Sequence, residues 1–255
     1  MLNILFPKYC PGCGHVLDKP KIILCTKCRN ALPLTHYHKY NNQSIVDKFY
    51  GILALDQGTA LLHYHKKGLA QKLIHALKYR GNNNIGYWLG TWLGQELKAI
   101  ERYRHISAVV PVPMHPKKLR LRGYNQAAVF GRAMAEAMAI PFIETLLIKT
   151  EMSDTQAKLG RWDRWAKKNS FALNGSHQDI IKKILFNSKA LESKKRQSID
   201  EFVSSENQCD KDSCRTIHLL LVDDVITTGA TIEACGRILT NELGASLSCA
   251  SIAIA

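Results

Sequence analysis

Apolar positions along the chain follow two rhythms. Short apolar or β-branched runs at residues 107–110, 219–222 and 246–254 suit strands buried on both faces of a parallel sheet. Residues 142–147 read as a further strand, and residues 49–55 and 60–64 as two short strands around Asp56, Gln57 and Gly58. Elsewhere the apolar residues recur at helical spacing. Leu69, Leu73, Ala76 and Leu77 share one face of a helix that Gly81 is expected to cap. Ile85, Trp88, Leu89, Trp92, Leu93, Leu97 and Ile100 form a broad apolar stripe, in which the tryptophans read as core. Two further helices carry inner faces at Ala127, Gly131, Met134, Ala135 and Met138, and at Ile232, Cys235, Ile238, Leu239 and Leu243. Alternating strands and helices predict an α/β fold with a doubly wound, mainly parallel sheet.

The 255 residues, 46% of them apolar, suffice for one core and a small appendage. The expected division is a module at 1–35, connecting strands and helices at 36–105, and the main domain at 106–255. Within the last, residues 175–215 are rich in Ser, Lys and Asn and read as a mobile insertion. The formal net charge of +14 favours anionic partners without choosing among them. The opening residues lack the form of a signal peptide, and no apolar stretch approaches the length of a membrane span. The expectation is a cytoplasmic chain with no membrane insertion.

Cysteine spacing changes the picture at the N-terminus. Cys10 and Cys13 form C-P-G-C, and Cys25 and Cys28 form C-T-K-C. Two such turns close together predict a tetrahedral four-cysteine Zn2+ site. So short a module cannot bury a core alone, and a metal would supply its folding energy. Disulfides are disfavoured by a reducing cytosol, and a redox role by the duplication of the motif. The module is basic, which suits either a nucleic-acid contact or a solvated face. His36 with His38, and His63 with His65, alternate; they read as polar positions on half-exposed segments rather than metal pairs. Cys209 and Cys214 are too isolated to define a site.

The densest chemistry follows the run at 219–222. Asp223 and Asp224 come first, then Thr227, Thr228, Gly229, Ala230 and Thr231, then a helix. Free N–H groups at a helix N-terminus favour a phosphate, and glycine lets the backbone approach it. Carboxylates one step away suit sugar hydroxyls or a bound Mg2+. The implied ligand is a sugar phosphate. After the strand at 107–110, Pro111 and Pro113 lead into a stretch with Lys117, Lys118, Arg120 and Arg122 and no acid. It reads as a basic loop suited to a diphosphate, or else as a solvated loop.

Residues 222–231 resemble the 5-phosphoribosyl diphosphate (PRPP) motif of type I phosphoribosyltransferases. The cysteine module, LIHALKYRG at 73–81 and VPVPMHPKKLRLRGYNQ at 110–126 are similar to the ComF/GntX family of competence-related proteins. Further matches are Gln156, Leu159, Arg164, Asn169 and Phe171, although Ser153 stands where that pattern has threonine. The resemblance implies Mg2+–PRPP with its 5-phosphate on Thr227 to Thr231 and its ribose hydroxyls on Asp223 and Asp224. Lys117, Lys118, Arg120 and Arg122 would hold departing pyrophosphate, with Lys78 a further candidate anion contact. Residues 149–173 would form a lid. The implied reaction is phosphoribosyl transfer, associated with DNA uptake; no acceptor-recognition motif or acceptor base is visible. The alternative is a non-catalytic accessory protein binding PRPP or single-stranded DNA alongside DNA-uptake proteins.

Overall fold

The structure, a computed structural model, describes residues 7–19, 22–79, 81–149, 171–182 and 217–255. Helices α1 (Thr26–Asn30), α2 (Tyr37–Tyr40) and α3 (Ser44–Lys48) precede strand β1 (Gln57–His63). Helices α4 (Leu69–Tyr79) and α5 (Asn83–Lys98) lead to β2 (Ala108–Pro111), α6 (Pro116–Arg122) and α7 (Gln126–Met138). Strands β3 (Leu147–Lys149) and β4 (Phe171–Leu173) pair antiparallel. Strand β5 (His218–Ile226), α8 (Ala230–Leu243) and β6 (Ser246–Ile254) complete the chain.

The main sheet has the order β1-β6-β5-β2, with every pair parallel. Alternate residues of its strands feed two cores. Leu220, Val222, Val109 and Ile252 pack with α4, α5 and α7, whereas Leu219, Leu221, Val110 and Leu247 pack with α3 and α8. Helices thus cover both faces, as the apolar runs of β5 and β6 predict. Pro111 is tolerated because β2 lies at the sheet edge. Among the described residues no helix is long and apolar enough to cross a membrane.

Three sequence expectations need correction. Residues 49–55 are not a strand but a series of turns, because Phe49 is buried against α8's entry rather than paired in the sheet. In the 142–147 segment only Phe142 bridges to Val109, and strand pairing begins at Leu147. His38 is buried rather than half-exposed. Its Nε2 lies 2.6 Å from Glu96 Oε2, and its Nδ1 lies 3.3 Å from Thr59 Oγ1. Lys39 Nζ and Trp92 Nε1 donate to the other Glu96 oxygen, so this network ties α2 to α5. Burial lowers the His38 pKa, against the raising effect of Glu96.

Helices α5 and α7 pack backbone to backbone. A Cβ placed on Gly90 would lie 2.2 Å from the Phe130 carbonyl oxygen, and one on Gly94 2.6 Å from that of Met134. With Gly86 these form a glycine ridge spaced by four residues, one helical turn apart. Any side chain there forces the helices apart. Gly90→Ala is expected to destabilise the fold by about 1–3 kcal/mol, read as a lowered midpoint in urea denaturation.

Candidate functional site

Strand β5 carries the acid pair at its C-terminal end, where parallel sheets present ligand-binding residues. Asp223 Oδ1 accepts the Asp224 N–H at 2.7 Å. Asp224 Oδ2 lies 2.7 Å from Lys78 Nζ, from the last turn of α4. Burial first, then the Asp224 charge, pushes the Asp223 carboxyl up to about 7, against the opposing effects of the Asp224 N–H, Lys78 and Lys149. The two acids therefore sit in unequal environments. Asp224 is paired with an ammonium, and Asp223 ionises near neutrality.

The chain then turns through Thr227 and Thr228 to Gly229, whose φ of 86° is left-handed and which caps α8 without a side chain. Thr227, Thr228 and Ala230 are exposed and Thr231 is half-buried. With Asp223, this turn lines a small cavity of about 30 Å³. The N-terminus of α8 thus opens on a recess beside the acids, an arrangement that favours an anionic group. The loop is supported by two residues to which the sequence reading gave no part in the site. A Cβ on Gly229 would lie 2.7 Å from the Phe49 ring, and Lys48 Nζ donates to the Thr227 carbonyl.

The basic stretch is a helix, α6, rather than the expected loop. His115 accepts the Lys117 N–H at its start, Pro116 occupies the first turn, and Gly123 closes it with a φ of 78°. It starts from the same end of the sheet as the acids, since Pro111 of β2 pairs with Val222 of β5. Lys117, Lys118 and Arg120 point to solvent and form no ion pair with a described residue. Arg122 is held: its Nη1 donates to Gln126 Oε1 at 3.1 Å, and its guanidinium lies 5.3 Å from the Tyr79 ring centre. Tyr124 donates its hydroxyl to the Leu77 carbonyl, and Asn125 caps α7 while donating to the Val112 carbonyl at 2.9 Å. The end of α4 is thereby fixed against the end of α6. Lys78, expected as an anion contact, pairs with Asp224 in this structure. Gln156, Leu159, Arg164 and Asn169 lie outside the described residues, and Phe171 is buried in β4.

The four cysteines converge as their spacing predicts. The sulfurs of Cys10, Cys13, Cys25 and Cys28 all lie within 4.8 Å of one another, and Cys13 and Cys25 are 3.6 Å apart. Sulfurs about 3.8 Å apart are what tetrahedral Zn–S bonds near 2.3 Å require. The cluster can hold a structural metal such as zinc. The first pair sits in a knuckle closed by Cys10 N–H to His15 O at 2.7 Å, and the second at the start of α1. Burial raises the Cys10 thiol, but hydrogen bonds from the backbone of Cys25, Cys13 and Gly12 bring it down to about 6. The module docks on α4, where Lys72 Nζ donates to the Gly12 carbonyl at 3.1 Å and Leu69 closes over Gly12.

No family model matches the chain. Over 171 residues it is 23% identical to competence protein F of Haemophilus influenzae, an alignment covering 66% of this chain. The match spans 60% of that relative's length. It agrees with the ComF-like character read from the sequence.

Purified protein is expected to carry roughly one zinc per chain, read by atomic absorption. Cys28→Ser should lose it. Stripping the metal with a chelator should expose residues 7–35 to protease while the sheet stays folded.

Proposed function

We propose that the chain binds Mg2+–PRPP and transfers its phosphoribosyl group, releasing pyrophosphate, in a competence-associated setting. The observation that carries this reading is the adjacency of the acid pair, the Gly229 recess and the basic helix α6 at one end of the sheet. The 5-phosphate would sit on the N–H groups and hydroxyls of Thr227 to Thr231. Asp223 and Asp224 would accept hydrogen bonds from the ribose hydroxyls. Lys117, Lys118, Arg120 and Arg122 would receive the diphosphate. Mg2+ would travel with the substrate and neutralise diphosphate charge. The bond from C1 to the diphosphate oxygen breaks, the electron pair leaves with pyrophosphate, and a nitrogen nucleophile attacks the cationic C1. Positioning and stabilisation of leaving-group charge would supply most of the rate.

A second reading is a non-catalytic accessory protein that binds single-stranded DNA. It is favoured by the exposed lysines of α6 and the exposed Leu121 beside them. That reading expects a strongly salt-dependent mobility shift and no pyrophosphate release.

Calorimetry with Mg2+–PRPP should give saturable binding to zinc-loaded protein, abolished in Asp223→Ala/Asp224→Ala. No binding by folded wild type would rule the transferase reading out. The affinity for ribose 5-phosphate should also rise from pH 6 to pH 8, because Asp223, its pKa raised to about 7, becomes a charged and stronger acceptor at both oxygens once ionised. Asp223→Asn should flatten that rise, leaving only the phosphate's own titration.

A further inference from the structure

Lys78 is the one cation within ion-pair distance of the acid pair among the described residues. Its ammonium and the Asp224 carboxylate are both largely shielded, at 21% and 17% exposure, so the pair is more than a loose surface contact. The partner groups of this lysine are fixed on every side. The Leu77 carbonyl before it is held by Tyr124, the Tyr79 ring after it lies under Arg122, and Asp224 is fixed by β5. The end of α4 that carries Lys78 therefore meets the acids through Lys78 and the last residue of α6 through Tyr79. While paired to Lys78, Asp224 offers less of its charge to a sugar hydroxyl. Once a diphosphate arrives beside α6, an ammonium at this junction has a second and more highly charged partner within the sweep of its flexible stem.

We propose that Lys78 is a positioning residue that exchanges partners, holding Asp224 in the empty site and passing to the diphosphate when substrate enters, so that Asp224 is released to the ribose only when the leaving group is in place. The inference rests on the PRPP reading above. It goes further by making recognition of the sugar conditional on recognition of the diphosphate. A sugar phosphate without a leaving group would meet a site whose acid is still occupied. The structure shows one end of the exchange, the Asp224 pair, and brings Arg122 of α6 to the same end of α4 through its stacking on Tyr79.

The test uses the two halves of the substrate as separate probes on the zinc-loaded full chain, by calorimetry. Lys78→Met keeps the stem and removes the charge. It should bind ribose 5-phosphate roughly fivefold more tightly than wild type, because no ion pair has to be broken. It should bind Mg2+–pyrophosphate roughly tenfold more weakly, because a charge-assisted contact is lost. Lys78→Arg, which keeps a cation, should restore the wild-type order. Effects in opposite directions are the signature, since a merely structural lysine would weaken both ligands together. If both probes weaken, or neither changes, the exchange is wrong although the PRPP reading stands. If wild type binds neither probe, the PRPP reading itself has failed, and the exchange with it.

Discussion

Two carboxylates at the end of a strand buried on both faces are the constraint around which this fold is arranged. Strand β5 must be apolar to sit mid-sheet, yet it delivers Asp223 and Asp224 into a partly shielded corner. An uncompensated charge there is strongly disfavoured. The structure resolves the conflict unequally. Asp224 receives an ammonium from Lys78, while Asp223 takes a backbone N–H and keeps a raised pKa. The inequality is chemically useful, because two equivalent ionised acids would repel each other and any phosphate placed beside them.

Supplying that ammonium determines much of the surrounding architecture. Lys78 ends α4, so α4 must be held at a fixed height against the sheet. It is gripped at its C-terminal end by Tyr124 and Arg122, and at its N-terminal end by the cysteine module through Lys72 and Leu69. The cysteine cluster is thus remote from the acids in sequence but joined to them through one helix. The recess beside the acids is propped by Lys48, at the end of α3, and by Phe49, in the turn that follows it.

What could be read from the sequence follows from how local each signal is. The C-x-x-C pairs, the buried runs of β5 and β6, and the acid–glycine–helix order are decided within a few residues, and each predicts its own structure. The helix α6 was missed because a dense run of cations reads as loop. Its local signals, Pro116 in the first turn and Gly123 at the end, were outweighed by charge. Phe49 reads as the start of a strand, but its burial against the Gly229 turn is a tertiary contact that no local period announces. His38 looked half-exposed because its partner Glu96 lies on another helix, and no sequence spacing announces a tertiary ion pair. The glycine ridge of α5 was hidden because glycines add nothing to an apolar stripe.

The strand order has a consequence for how the molecule comes into being. β6 is the last strand in the chain, yet it lies between β1 and β5 and hydrogen-bonds to both. Until it is synthesised, β1 has no neighbour in the sheet, and the faces that α4 and α8 are meant to cover do not line up. The sheet cannot close until everything from β1 to β6 has left the ribosome, so loop-closure entropy is overcome late. The parts that can fold before β6 is made are the cysteine knuckle and the α5–α7 pair. The nascent chain would carry an unpaired β1 edge until β6 emerges, which makes this strand the point where chaperone protection matters most.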